Sequence, residues 1–193
     1  SGDRFVIEER TDLDAVGLYG VAYKFGFLVQ ILAVGPFFMV WQPRSYAVAK
    51  QSDAPQTYAR VFSYFVAGLC AVALLFSVFA DDLLRVLATP KFYTGANLIP
   101  WVAFAYVFNG CQVFCRIGIY LRNRTEIAGI VMLTMAILAV TASWFAIGAF
   151  QVQGAAITTF VSYALLALTM AAVGQRFYPI PYELGRLVKV VVL

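Results

Sequence analysis

The length of the apolar runs constrains this sequence more than any other feature. Five stretches, at about residues 16–41, 58–80, 96–121, 127–150 and 155–174, are nearly free of acids and bases. About 20 consecutive apolar residues make a helix long enough to cross the hydrocarbon layer of a bilayer. A segment inside that layer must satisfy its own peptide groups, which leaves the α-helix for runs of this length. The pattern predicts an all-α, polytopic transmembrane helix bundle with about five full spans and no soluble domain of any size. Composition agrees: 62% of the residues are hydrophobic and 12% are charged, and the mean hydropathy is +0.81. A soluble domain carries about 25% charged residues.

The segments between the runs read as ends and turns. Ser1 to Asp14 is rich in charge, and Phe5-Val6-Ile7 within it reads as the tail of a preceding helix. With no initiator Met at one end and an apolar run at the other, the sequence reads as part of a longer protein. No signal peptide is visible. Gly35-Pro36 predicts a kink in the first span, and Trp41 marks an interface position. Ser52-Asp53-Ala54-Pro55 is a helix start, with an N-cap and an early proline. Asp81 and Asp82 close the second span, and Leu83 to Gly95 reads as a turn of helix plus a loop. Tyr178-Pro179-Ile180-Pro181 stops the fifth span. Tyr182 to Leu193 is then an interfacial helix or the start of another span.

Basic residues give an orientation, because cytoplasmic loops collect Lys and Arg. Arg44, Lys50 and Arg60 follow the first span, Arg122 and Arg124 the third, and Arg176, Arg186 and Lys189 the fifth. The intervening connections hold Arg85 and Lys91 alone. The acidic start is therefore expected outside and the C-terminus in the cytoplasm. The net charge of +4 is spread over helix ends rather than gathered in a patch, so it bears on orientation and gives no support to nucleic-acid binding.

A charge within a span costs roughly 2.5–3.5 kcal/mol on insertion scales and usually faces a cavity or a partner. Lys24 is about eight residues into the first run, or roughly 12 Å at helical rise, which predicts a position near the midplane. Tyr19, Tyr23 and Gln30 share one face of that helix, with Lys24 one step of about 100° away. Lys24 either pairs with an acid elsewhere in the protein or lines a polar cavity. In the third run Tyr106, Asn109, Gln112, Arg116 and Tyr120 follow at helical spacing, so this polar face is expected toward the protein interior or water. Arg116 either lines a cavity or snorkels to the inner headgroups, and Asn109 and Gln112 serve either a ligand or a neighbouring helix. Asp3-Arg4 is a third candidate, with a local salt bridge as its plainer reading. Thr134 and Thr141, and Thr158, Ser162 and Thr169, read as packing positions.

No acid lies deep in any full span. A cavity bearing Lys and Arg suits an anionic group such as a phosphate or diphosphate. Cys70, Cys111 and Cys115 lie within apolar runs; without any His in the sequence they read as small packing residues rather than metal ligands. The same lack removes Ser-His-Asp and Cys-His catalysis, and no catalytic residue or metal site is expected.

Several of these segments together resemble a known family. Gly2-Asp3-Arg4-Phe5, Ala15-Val16-Gly17-Leu18-Tyr19, Val21-Ala22-Tyr23-Lys24-Phe25, Trp41-Gln42-Pro43, Ala47-Val48-Ala49-Lys50 and Tyr178-Pro179-Ile180-Pro181-Tyr182 are similar, in order and spacing, to the polysaccharide flippases. These are the O-antigen and exopolysaccharide exporters of the multidrug/oligosaccharidyl-lipid/polysaccharide exporter superfamily. The resemblance implies the C-terminal bundle of a transporter with twelve or more helices, residues 1–7 being the end of the seventh. It implies a bacterial cytoplasmic membrane location with the C-terminus inside, and transport rather than enzyme chemistry. The implied substrate is an undecaprenyl-diphosphate-linked oligosaccharide, moved for polysaccharide biosynthesis without a cofactor, with H+ or Na+ as a coupling ion. Its implied partners are the lipid-linked oligosaccharide, the bilayer and an N-terminal half that this sequence lacks. The expected substrate-binding residues are Arg4, Lys24, Gln30, Asn109, Gln112 and Arg116. The alternatives are a multidrug exporter of the same fold, which calls for intramembrane acids, or a membrane enzyme of polysaccharide assembly, which calls for a large outer loop.

Overall fold

Proline shapes the first span. Pro36 has no N–H to offer the Leu32 carbonyl, and the helix ahead of it widens instead of simply bending. In a computed structural model that describes residues 13–181, helix α1 (Leu13–Val29) passes into a π-helical turn (Gln30–Val34) and then into α2 (Gly35–Val48). The Gly35 N–H reaches back to the Gln30 carbonyl, which closes the wide turn. The expected kink is therefore a π-turn, a device common at functional sites.

Helix α3 (Ala54–Val78) starts where predicted, with Asp53 at its N-cap and Pro55 in the first turn. The short α4 (Ala80–Leu87) carries Asp81 and Asp82 in its first turn and Arg85 in its last, each favoured there by the helix dipole. A 3-10 segment (Pro90–Leu98) leads into α5 (Ile99–Cys115), and α6 (Ile117–Tyr120) extends it by one turn. Asn123, with φ of 53°, supplies a left-handed residue in the tight connection to α7 (Thr125–Phe177), a conformation Asn tolerates. Among the described residues there is no strand. The Ser1–Ile7 and Tyr182–Leu193 segments lie outside the described residues.

Two apolar segments are expected where α7 is a single element. A straight helix of its 53 residues would be roughly 80 Å long. Its ends are not that far apart. Arg122, just before α7 begins, donates from Nε to the Phe177 carbonyl at 3.2 Å. Arg116 reaches Met132 in the first half, while Phe160 in the second packs edge-on against Trp101 and Phe108. The first half thus runs antiparallel to α5 and the second half parallel to it. The reversal falls between Met132 and Phe160, and the apolar segments Thr125–Ala146 and Gln153–Phe177 supply the fourth and fifth spans.

The other membrane-length segments are Tyr23–Val48, Ala54–Val78 and Gly95–Tyr120. The second and third agree closely with the apolar runs. In the first, the helix starts at Leu13 and continues through Pro43 as far as Val48, so it extends past both ends of the predicted 16–41 run.

The third span is the centre of the bundle: 61% of its most apolar window is buried, against 11–33% for the other four. Small residues let the neighbours approach it closely, the usual packing of helices in lipid. A Cβ on Gly110 would lie 2.6 Å from Leu69 Cδ1, and one on Gly174 would lie 2.7 Å from the Cys115 carbonyl oxygen. Aromatic rings fill the remaining space. Phe37 stacks on Phe65 with centroids 4.1 Å apart, and Trp41 stacks on Phe114 at 5.9 Å. Trp41 is 8% exposed; it is a packing residue of this cluster, not the interface marker expected. Tyr58 joins the cluster to α2 by donating its hydroxyl to the Ser45 carbonyl at 2.5 Å.

The two kinds of glycine predict opposite results. Gly174→Ala drives a methyl into backbone and should cost about 1–3 kcal/mol, as overpacking does. Gly68→Ala, with nothing within 4 Å of the new Cβ, should be neutral or stabilise by up to about 1 kcal/mol through helix propensity. Thermal denaturation in detergent micelles measures both.

Candidate functional site

The π-turn sets Gln30 against α5. Asn109 Nδ2 donates to Gln30 Oε1 at 2.9 Å, and Gln112 Nε2 donates to Asn109 Oδ1 at 3.0 Å. Three of the residues picked from the sequence thus form one hydrogen-bonded chain between the first and third spans. One turn away from Asn109, the Tyr106 ring meets Tyr23 and Phe27 edge-on at 5.9 and 5.8 Å. At the other end, one turn past Gln112, lies Arg116. Its guanidinium sits 5.8 Å from the Tyr120 ring centre, and Nη1 reaches Met132 Sδ at 3.2 Å.

This polar face is incompletely satisfied. Gln112 Oε1 and Arg116 Nε are buried without a hydrogen-bond partner, as is the Trp41 indole nitrogen. Leaving a buried polar group unpaired costs about 1–3 kcal/mol, and more when it is charged. An acceptor and a cationic donor stand one turn apart on the same helix face, so a ligand or water with both kinds of group would satisfy them. Arg116 also lines a cavity of about 170 Å3 between α2 and the α5–α6 junction, shared with Gln42, Ser45, Tyr46 and Tyr120. Phe38, Val113 and Ile117 complete its walls, and its cation and polar groups suit binding of a polar or anionic group. Among the described residues whose side chains are defined, the acids are Asp53, Asp81, Asp82 and Glu126, all exposed and all at helix ends or connections.

Lys24 belongs elsewhere. It is exposed, and its groove is formed with Ala88, Thr89 and Phe92 of the connection between the second and third spans. Lys24 is thus level with the connection between the second and third spans. The step of about 100° from Tyr23 turns it away from the Gln30 chain. Arg4 and the Tyr19 side chain lie outside the described residues.

Thr134, Thr141, Thr158 and Thr169 each donate to the carbonyl four residues earlier, which satisfies their hydroxyls within their own helix. Among the described residues no disulfide joins the three cysteines. Gln42, Ser45 and Tyr46 are neighbours of Arg116 that the sequence pattern did not single out. Their spacing within α2 is the available signal: Gln42 and Tyr46 are four residues apart, one above the other on a helix face.

Comparison with protein-family models, with curated proteins and with solved structures returned no match.

The Gln30–Asn109 bond predicts a measurable coupling. Gln30→Leu and Asn109→Leu should each destabilise the bundle, and a double-mutant cycle should return about 0.6 kcal/mol of interaction, with roughly 1.7 as the ceiling for such bonds in membranes. Chemical denaturation in mixed micelles reads it; strict additivity would mean that the two side chains are not bonded.

Proposed function

We propose that the protein containing this chain is a membrane transporter. In this reading it is a flippase that moves an undecaprenyl-diphosphate-linked oligosaccharide across the bacterial cytoplasmic membrane for polysaccharide biosynthesis. Five membrane-length helices support the coarser statement. The finer one is carried by a single observation. The polar face of the central helix ends on Arg116, a cation with an unpaired Nε beside a cavity that Gln42, Ser45, Tyr46 and Tyr120 also line. The resemblance in the segments around Lys24, Trp41 and Tyr178 supports the same reading.

Arg116 would hold a phosphate of the lipid diphosphate through its forked N–H groups. The attraction is stronger in a low-dielectric interior than in water. Gln112 Oε1 accepts from a hydroxyl of the cargo, and Gln30 and Asn109 hold Gln112 in place. No bond in the cargo is made or broken. Two bundles rock about a central cavity, as in transporters built from paired halves, with an H+ or Na+ gradient setting direction. The connections rich in Lys and Arg lie in the cytoplasm.

Arg116→Ala in the complete protein should cut surface polysaccharide strongly at unchanged membrane abundance. Losing a charged hydrogen bond costs about 1.5–3 kcal/mol, or roughly ten- to hundredfold in cargo affinity. Arg116→Lys keeps the charge without the fork and should restore part of the loss. Wild-type polysaccharide in Arg116→Ala cells would remove Arg116 from the site.

A further inference from the structure

The groove beside Lys24 is separate from the polar chain. It measures about 470 Å3, within the range of about 300–1,000 Å3 typical of ligand pockets. Its walls are Val21, Phe25 and Leu28 on α1, facing Ala88, Thr89 and Phe92 across the gap. Among the described residues that line it, Lys24 is the one cation. Among the described residues Lys24 has no ion-pair partner, and both it and Thr89 are exposed.

Its position completes the description. Ala88, Thr89 and Phe92 belong to the connection between the second and third spans, so the groove lies where the first span meets that connection. Beside it α4 buries Leu84 and exposes Asp81, Asp82, Arg85 and Val86, charge beside apolar surface as on a helix lying at a membrane surface. Passing from Lys24 toward Leu28 leads into the bundle's apolar zone.

We infer that this groove binds an anionic phospholipid, its phosphate against Lys24 and Thr89 and an acyl chain along Phe25, Leu28 and Phe92. The charge selects the headgroup: an ammonium attracts a phosphodiester and repels the choline of a zwitterionic lipid. The apolar walls select a lipid over a free anion, since an inorganic phosphate gains nothing from Phe25 or Leu28. The inference stands whatever the protein transports.

Native mass spectrometry of the purified chain, exposed to equal amounts of phosphatidylglycerol and phosphatidylcholine, tests it. Phosphatidylglycerol adducts should exceed phosphatidylcholine adducts about fivefold, the factor one basic residue supplies near an anionic surface. Lys24→Gln should equalise the two lipids and Lys24→Arg should keep the preference. Leu28→Trp, which fills the groove, should reduce adducts of both. Millimolar inorganic phosphate should leave the adducts in place. Equal binding of the two lipids by the wild-type chain, or a preference that survives Lys24→Gln, would overturn the assignment. Displacement of phosphatidylglycerol by inorganic phosphate would show a bare anion site instead.

Discussion

A peptide group or side chain inside a bilayer has no water to bond to, so its partner must come from the protein. That constraint makes the chain helical and then decides what happens where a helix is interrupted. Pro36 removes a donor, and the turn before it relaxes to π geometry. Gln30 opens that turn and accepts from Asn109. A backbone defect in one span and a polar side chain in another are thus settled in the same place. The cost of the proline and the presence of the polar chain belong to one arrangement.

The third span carries the rest. Gly110 on its surface admits α3 on one side, and Gly174 of α7 lets the second half of that helix close on the Cys115 backbone on another. Its polar face turns toward the first span. Aromatic packing around Phe114 holds α2 and α3 beside it, so Arg116 is set against α2 by rigid neighbours rather than by a loop. The two cations picked from the sequence fall at separate places along the bundle. Lys24 is with the connection after the second span, and Arg116 is with the connection after the third. One surrounds itself with apolar wall and the other with hydroxyls and an amide, which is why they suit different ligands.

Much of this arrangement is legible in the amino-acid sequence. Runs of apolar residues locate the second to fifth spans, and the steps linking Tyr106, Asn109, Gln112 and Arg116 mark the inward face of α5. The neighbours of Lys24 are not legible, because its groove is made with Ala88, Thr89 and Phe92, a tertiary contact that hydropathy does not carry. The pairing of Trp41 with Phe114 is hidden for a related reason: in a helix that is apolar all round, periodicity does not separate the packed face from the lipid face. The helical reversal within α7 is likewise invisible, since Gln151 and Gln153 read equally well as a loop. It follows only from contacts at both ends of the helix.

The central claim is that one face of α5 looks onto a polar interior and the neighbouring face, about 100° round and carrying Trp101, Phe104 and Phe108, onto apolar surroundings. Spin labels on a background with Cys70, Cys111 and Cys115 changed to Ser would test it directly, using collisions with oxygen and with a polar nickel chelate. Labels at Trp101, Phe104 and Phe108 should favour oxygen, and labels at Asn109 and Arg116 should favour the chelate or be shielded from both. Oxygen accessibility that is uniform around the helix, or highest at Asn109 and Arg116, would contradict the account.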